Sequence, residues 1–66
     1  MNDKEFENLF GILRNKYIDY AEPLFAFAFG EGLGVALQLT DSISEEQTKL
    51  LDMKNVELYQ LHTKHS

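Results

Sequence analysis

Large and small side chains alternate most regularly along the middle of the chain, from Pro23 to Thr40. Phe25, Phe27 and Phe29 are separated by Ala26 and Ala28; Gly30-Glu31-Gly32 interrupts; then Leu33, Val35, Leu37 and Leu39 are separated by Gly34, Ala36 and Gln38. A period of two predicts strands. A three-residue loop at Gly30-Glu31-Gly32, closed by Gly32 in the left-handed conformation, sets Phe29 opposite Leu33, Phe27 opposite Val35 and Phe25 opposite Leu37. All the large side chains then share one face, and a slip of one residue would send a whole strand's apolar set to the other. The opposite face carries Leu24, Ala26, Ala28, Gly34, Ala36 and Gln38, mostly small and open to close approach. A buried helix competes for the same run. Three glycines within five residues, each costing about 1 kcal/mol relative to Ala in a helix interior, weigh against it.

The flanks predict helices. Between Asp3 and about Tyr20, the residues Phe6, Leu9, Phe10, Leu13, Tyr17 and Tyr20 recur at i, i+3, i+4, i+7, one stripe at about 100° per residue. Asn2 or Asp3 can cap the start, and Asn2 with Glu5 resembles a capping box. Pro23 ends the segment, since the residue before a proline avoids helical dihedrals. Gly11 within it is either a tolerated surface glycine or a point of close backbone approach.

A second helix is expected from about residue 43 to 63. Ser42 with Glu45 and Ser44 with Gln47 both fit the capping-box spacing, and Glu45 and Glu46 meet the positive end of the helix dipole. Its broad stripe is Ile43, Gln47, Leu50, Leu51, Lys54, Leu58 and Leu61. The alternation Val56-Glu57-Leu58-Tyr59-Gln60-Leu61 competes as a third strand, but Glu, Leu and Gln favour continuous helix. Met53, Val56 and Tyr59 lie off the stripe and form a candidate second contact face.

Size and charge bear on partners. Sixty-six residues make one small domain, without Cys for a disulfide or thiolate metal site, so association with a second copy is the expected source of extra stability. Eleven acidic against six basic residues give a net charge of −5, and Lys4, Arg14, Lys16, Lys49, Lys54 and Lys64 are scattered. Direct nucleic-acid binding, which relies on clustered Lys and Arg, is disfavoured. The central run is short of the roughly 20 residues of a membrane span and has Glu31 at its middle. It begins too far along the chain, and without a basic leader, for a signal peptide. The cytoplasm is the expected compartment.

Few residues suggest chemistry. His62 and His65, three apart, supply half of a metal site at most. Asp3, Glu5 and Glu7, and Glu45 with Glu46, fall in first turns and on polar faces, away from an apolar pocket that would raise a carboxyl pKa. The Gly30-x-Gly32-x-Gly34 spacing fits neither the dinucleotide nor the Walker pattern. No catalytic, cofactor-binding or metal-binding residue is assigned.

The sequence thus predicts an α+β domain, helix-strand-strand-helix with a central β-hairpin at about 23–40, as a homodimer with a sheet-centred or helix-swapped interface. An all-α helical dimer is the alternative. Candidate interface residues are Ala26, Ala28, Gly34, Ala36, Met53, Val56 and Tyr59. The expected function is that of a non-enzymatic adaptor, regulator or inhibitor that docks on a larger protein, without a cofactor. The alternatives are a dimeric nucleic-acid-associated regulator and an acidic mimic that blocks a nucleic-acid-binding site.

Overall fold

The computed structural model of the protein describes residues 1–64. Its elements are three α-helices, α1 (Asp3–Asp19), α2 (Pro23–Leu39) and α3 (Glu45–Lys64), and no strand occurs among the described residues. The expected α+β fold is therefore corrected. The run 23–40 is a helix and not a β-hairpin, and the helical part of the alternative reading describes the chain.

Local chemistry explains the correction. Between Pro23 and Leu39 the only β-branched residue is Val35, whereas Ala, Leu and Gln, all good helix formers, fill eight positions. Pro23 both ends the preceding segment and occupies the first helical positions of α2, where its fixed φ is pre-organised and its missing N–H is no loss. At the other end the Asp41 N–H donates to the Gln38 carbonyl at 3.1 Å and the Ser42 N–H to the Leu37 carbonyl at 2.9 Å. This is a Schellman closure. Asp41 takes the left-handed position, at φ 54°, a conformation that Asp tolerates better than most residues. Gly32 was expected at positive φ, yet no glycine has one among the described residues. With the hairpin gone, the pairings Phe29–Leu33, Phe27–Val35 and Phe25–Leu37 do not exist.

The other helix starts follow their capping signals. The Asn2 side chain accepts from the Glu5 N–H at 2.8 Å and donates to Glu5 Oε1 at 3.2 Å, and α1 ends at Asp19, one residue short of the expected limit. For α3 the Ser44–Gln47 box is the one used. Ser44 Oγ accepts from the Gln47 N–H at 3.0 Å, and the Ser44 N–H donates to Gln47 Oε1 at 2.9 Å. Val56 to Leu61 continue this helix.

The helices pack into a body of 35 × 20 × 17 Å, with α2 and α3 making the most extensive contact. The core is Phe6, Leu13 and Tyr17 from α1, Ala26 from α2, Ile43 before α3, and Leu51 and Leu58 from α3. Leu9, Phe10, Phe27, Phe29, Leu37 and Tyr59 pack around it. Leu50 and Leu61, expected within the α3 stripe, are exposed, as is Tyr20 at the end of α1. The inward face of α3 is centred instead on Leu51, Asn55 and Leu58.

Candidate functional site on the second helix

α2 carries one ionisable residue after its N-cap, Glu31, and is apolar nearly all round. A helix of that kind is normally covered on more than one side. Here α1 and α3 cover one side only. At 100° per residue, Leu24, Phe25, Ala28, Gly32, Val35, Ala36 and Leu39 fall within an arc of about 120°, and all seven are exposed. The large side chains among them are well out in solvent: Leu24 is 59 % exposed, Phe25 63 %, Val35 54 % and Leu39 80 %. Along the middle of the arc run Ala28, Gly32 and Ala36, four residues apart. A Cβ added at Gly32 would meet nothing within 4 Å.

The inner face is governed by Asn55, a buried polar residue at 1 % exposure. The Tyr17 hydroxyl donates to Asn55 Oδ1 at 2.8 Å, with the Asn55 carbonyl oxygen at 3.0 Å. The Asn55 amide donates to the Phe27 carbonyl at 3.1 Å. One side chain thus ties all three helices together, and its polar atoms are satisfied as burial requires. Gly30 makes room for it: a Cβ there would lie 2.4 to 2.6 Å from the Asn55 amide. Around the node, Tyr17 stacks on His62 with ring centroids 5.3 Å apart, and Phe27 meets Tyr59 at 5.0 Å. Burial, with smaller contributions from Tyr59 and Glu31, pushes the Tyr17 hydroxyl up to about 12. It stays protonated and donating throughout the neutral range.

Glu31 stands at the edge between the two faces, beside an open groove between α2 and α3 that Gly30, Gly34, Leu51 and Asp52 also line. Partial desolvation raises its carboxyl pKa above the ordinary value. A hydrogen bond with Asp52 and that residue's charge push the same way, and a hydrogen bond with Asn55 opposes them.

The residues expected to form an interface are dispersed. Ala28 and Ala36 lie on the outer arc of α2. Ala26 is fully buried, and Gly34 is half-buried with its Cβ position 3.7 Å from Leu51. Met53 and Val56 are exposed on α3, while Tyr59 packs against Phe27. The small residues do not share one face because a helix, unlike a strand, turns alternate residues to different sides. The sequence reading missed Leu24, Phe25, Gly32, Val35 and Leu39 as one surface, and Asn55 with Gly30 as a structural pair. Reading 23–39 at a period of 3.6 finds the former.

Among the described residues no group of three or more acidic, His or Cys side chains is placed to hold a metal. His65 lies outside the described residues. No helix among them is long and apolar enough to cross a membrane. In comparisons with known proteins, the chain matches no family model, no curated protein and no solved structure.

Proposed function

We propose that the chain is a non-enzymatic, cytoplasmic protein–protein interaction module whose binding element is the outer arc of α2. The observation that carries this reading is four large apolar side chains, each more than half exposed, on one uncharged face of one helix. Single exposed apolar residues are ordinary, whereas a contiguous patch marks an interaction surface. The fold itself does not need Leu24, Phe25, Val35 or Leu39 to be large, since their side chains stand outside the core. The test is photo-crosslinking in cells, with a photo-reactive phenylalanine analogue placed at Val35 or, as a control on the polar surface, at Glu57. Covalent protein adducts from position 35 and none from position 57 are expected. Equal labelling from both, or none from either, rejects the reading.

A second reading, the acidic module that occupies a basic nucleic-acid-binding surface, is favoured by one arrangement. Asp3, Asp41 and Glu46, from three separate parts of the chain, line one open depression. The hairpin ribbon that would have entered a nucleic-acid groove is replaced by α2, a helix without Lys or Arg, which disfavours direct contact with phosphates. In competition with duplex DNA for a basic DNA-binding protein, the variant Asp3→Asn/Asp41→Asn/Glu46→Gln should lose its effect. Unchanged competition by that variant would remove this second reading.

A further inference from the structure

Part of the outer arc of α2 is symmetric about Gly32, whereas Leu24 and Val35, whose counterparts are Thr40 and Phe29, are not. Ala28 and Ala36 stand four residues before and after Gly32, and Phe25 and Leu39 stand seven before and after. We infer that a second copy of this chain covers the arc, with the two α2 helices antiparallel across a two-fold axis at Gly32. The inference rests on the reading of the arc as the binding element and names its occupant.

A two-fold interface brings one patch against itself, so the patch must be self-complementary. In the antiparallel arrangement Gly32 meets Gly32, Ala28 meets Ala36, and Phe25 meets Leu39. Small residues thus face each other at the centre, where the helix axes come closest, and large ones face each other at both ends. Gly32 then has a physical reason that the chain alone does not supply. It costs about 1 kcal/mol relative to Ala in a helix interior, and nothing within the chain crowds its Cβ position. Gly11 also has open space around it, but its neighbours on the α1 surface are Glu7, Asn8, Arg14 and Asn15, which form no apolar patch.

Charge and area agree with a like partner. A chain of net charge −5 repels its own copy through most of its surface, and the outer arc has no ionisable side chain. Like-charge contact is therefore least costly there. At roughly 200 Å² for a fully exposed large apolar residue, Leu24, Phe25, Val35 and Leu39 hold about 500 Å² out to solvent. Ala28, Gly32, Ala36 and the flanks extend this towards the roughly 800 Å² per partner of a standard specific interface. A partner recognised by charge would call for several ionic groups around the arc, and within α2 after its N-cap Glu31 alone stands at its edge.

Light scattering over a concentration series should give about 15 kDa for the parent chain, twice its 7.6 kDa, and half that for Gly32→Glu. Far-UV circular dichroism should show the same helical content for both, because position 32 has room for a side chain in the single copy. Direction is read by disulfide trapping, which the Cys-free sequence allows. A mixture of Phe25→Cys and Leu39→Cys should form a mixed disulfide dimer. Phe25→Cys alone should not, its two copies being about 21 Å apart at 1.5 Å per residue. A parent chain that stays monomeric throughout rejects the second copy, and so does a dimer that survives Gly32→Glu. Self-trapping of Phe25→Cys without the mixed product rejects the antiparallel arrangement. A monomeric parent that still yields heavier adducts from position 35 in cells refutes this inference alone, whereas a monomer without adducts refutes the interaction reading as well.

Discussion

Two glycines of α2 stand two residues apart and meet opposite surroundings. Gly30 faces inward, where the Asn55 amide occupies the space a Cβ would need; Gly32 faces outward, where nothing lies within 4 Å. The same division runs along the whole helix. On the inner side Ala26 and Gly30 are buried and the Phe27 carbonyl is hydrogen-bonded by Asn55, so small size and polar satisfaction are both accounted for. On the outer side Phe25 and Leu39 are large, apolar and exposed with no neighbour to account for them. A glycine forced by its own chain reports on the fold, and a glycine with no internal cause directs attention to what lies outside it.

The largest effect that would break the comparison is expected at Gly30. In Gly30→Ala the new methyl and the Asn55 side chain cannot both keep their places. Asn55 is tied to Tyr17 and to the Phe27 carbonyl, so any displacement breaks buried hydrogen bonds at about 1–3 kcal/mol each. Denaturant titration should show a loss of roughly 2–4 kcal/mol. A loss below about 0.5 kcal/mol, the range of neutral surface substitutions, would mean that Gly30 and Asn55 do not constrain each other.

That pair also shows what the sequence could and could not disclose. The outer helices were legible because their signals are local: Asn2 with Glu5 and Ser44 with Gln47 form capping boxes, and Phe6, Leu13 and Tyr17 keep one helical stripe. The middle segment was misread because an apolar helix covered on one side and uncovered on the other satisfies a period of two nearly as well as 3.6. Its glycines then counted against helix. The cause that overrides this cost at Gly30 is Asn55, 25 positions further along the chain, and no local pattern announces such a contact. Asn55 itself is one polar residue within α3, and its inward place is recognised only when its partners, Tyr17 and the Phe27 carbonyl, are in view. The outer arc was hidden by the same error. Alternation assigns Phe25 and Phe27 to one side, whereas the helix exposes Phe25 and turns Phe27 towards Tyr59.

A smaller effect, of opposite sign, sharpens the contrast. In dilute solution, where self-association does not enter, Gly32→Ala should stabilise the single copy by about 0.5–1 kcal/mol, the ordinary gain of Ala over Gly within a helix. The midpoint of unfolding by denaturant would then move upward for position 32 and downward for position 30, for the same chemical change two residues away. Destabilisation at position 32 in dilute solution would reveal an internal contact on the outer arc and remove the distinction between the two faces.

The smallest effect concerns Glu31, at the boundary of the two faces. Its carboxyl pKa in the folded chain is raised above 4.5 by desolvation and by Asp52, so between those two values the folded chain holds a proton that the unfolded chain releases. The stability this contributes is fully present below 4.5 and is lost as pH rises through the raised folded value. At neutral pH the two carboxylates repel. Asp52→Asn removes one of them, and its unfolding midpoint should exceed that of the parent at neutral pH. The advantage should shrink as pH falls through the raised value and on below 4.5, where Glu31 takes up its proton in both proteins. Subtracting one titration from the other cancels the remaining carboxylates, which are common to both. An offset independent of pH would show that the exchange of Asp for Asn acts through helix propensity alone, and that Asp52 does not raise the Glu31 carboxyl at the edge between the covered and uncovered faces of α2.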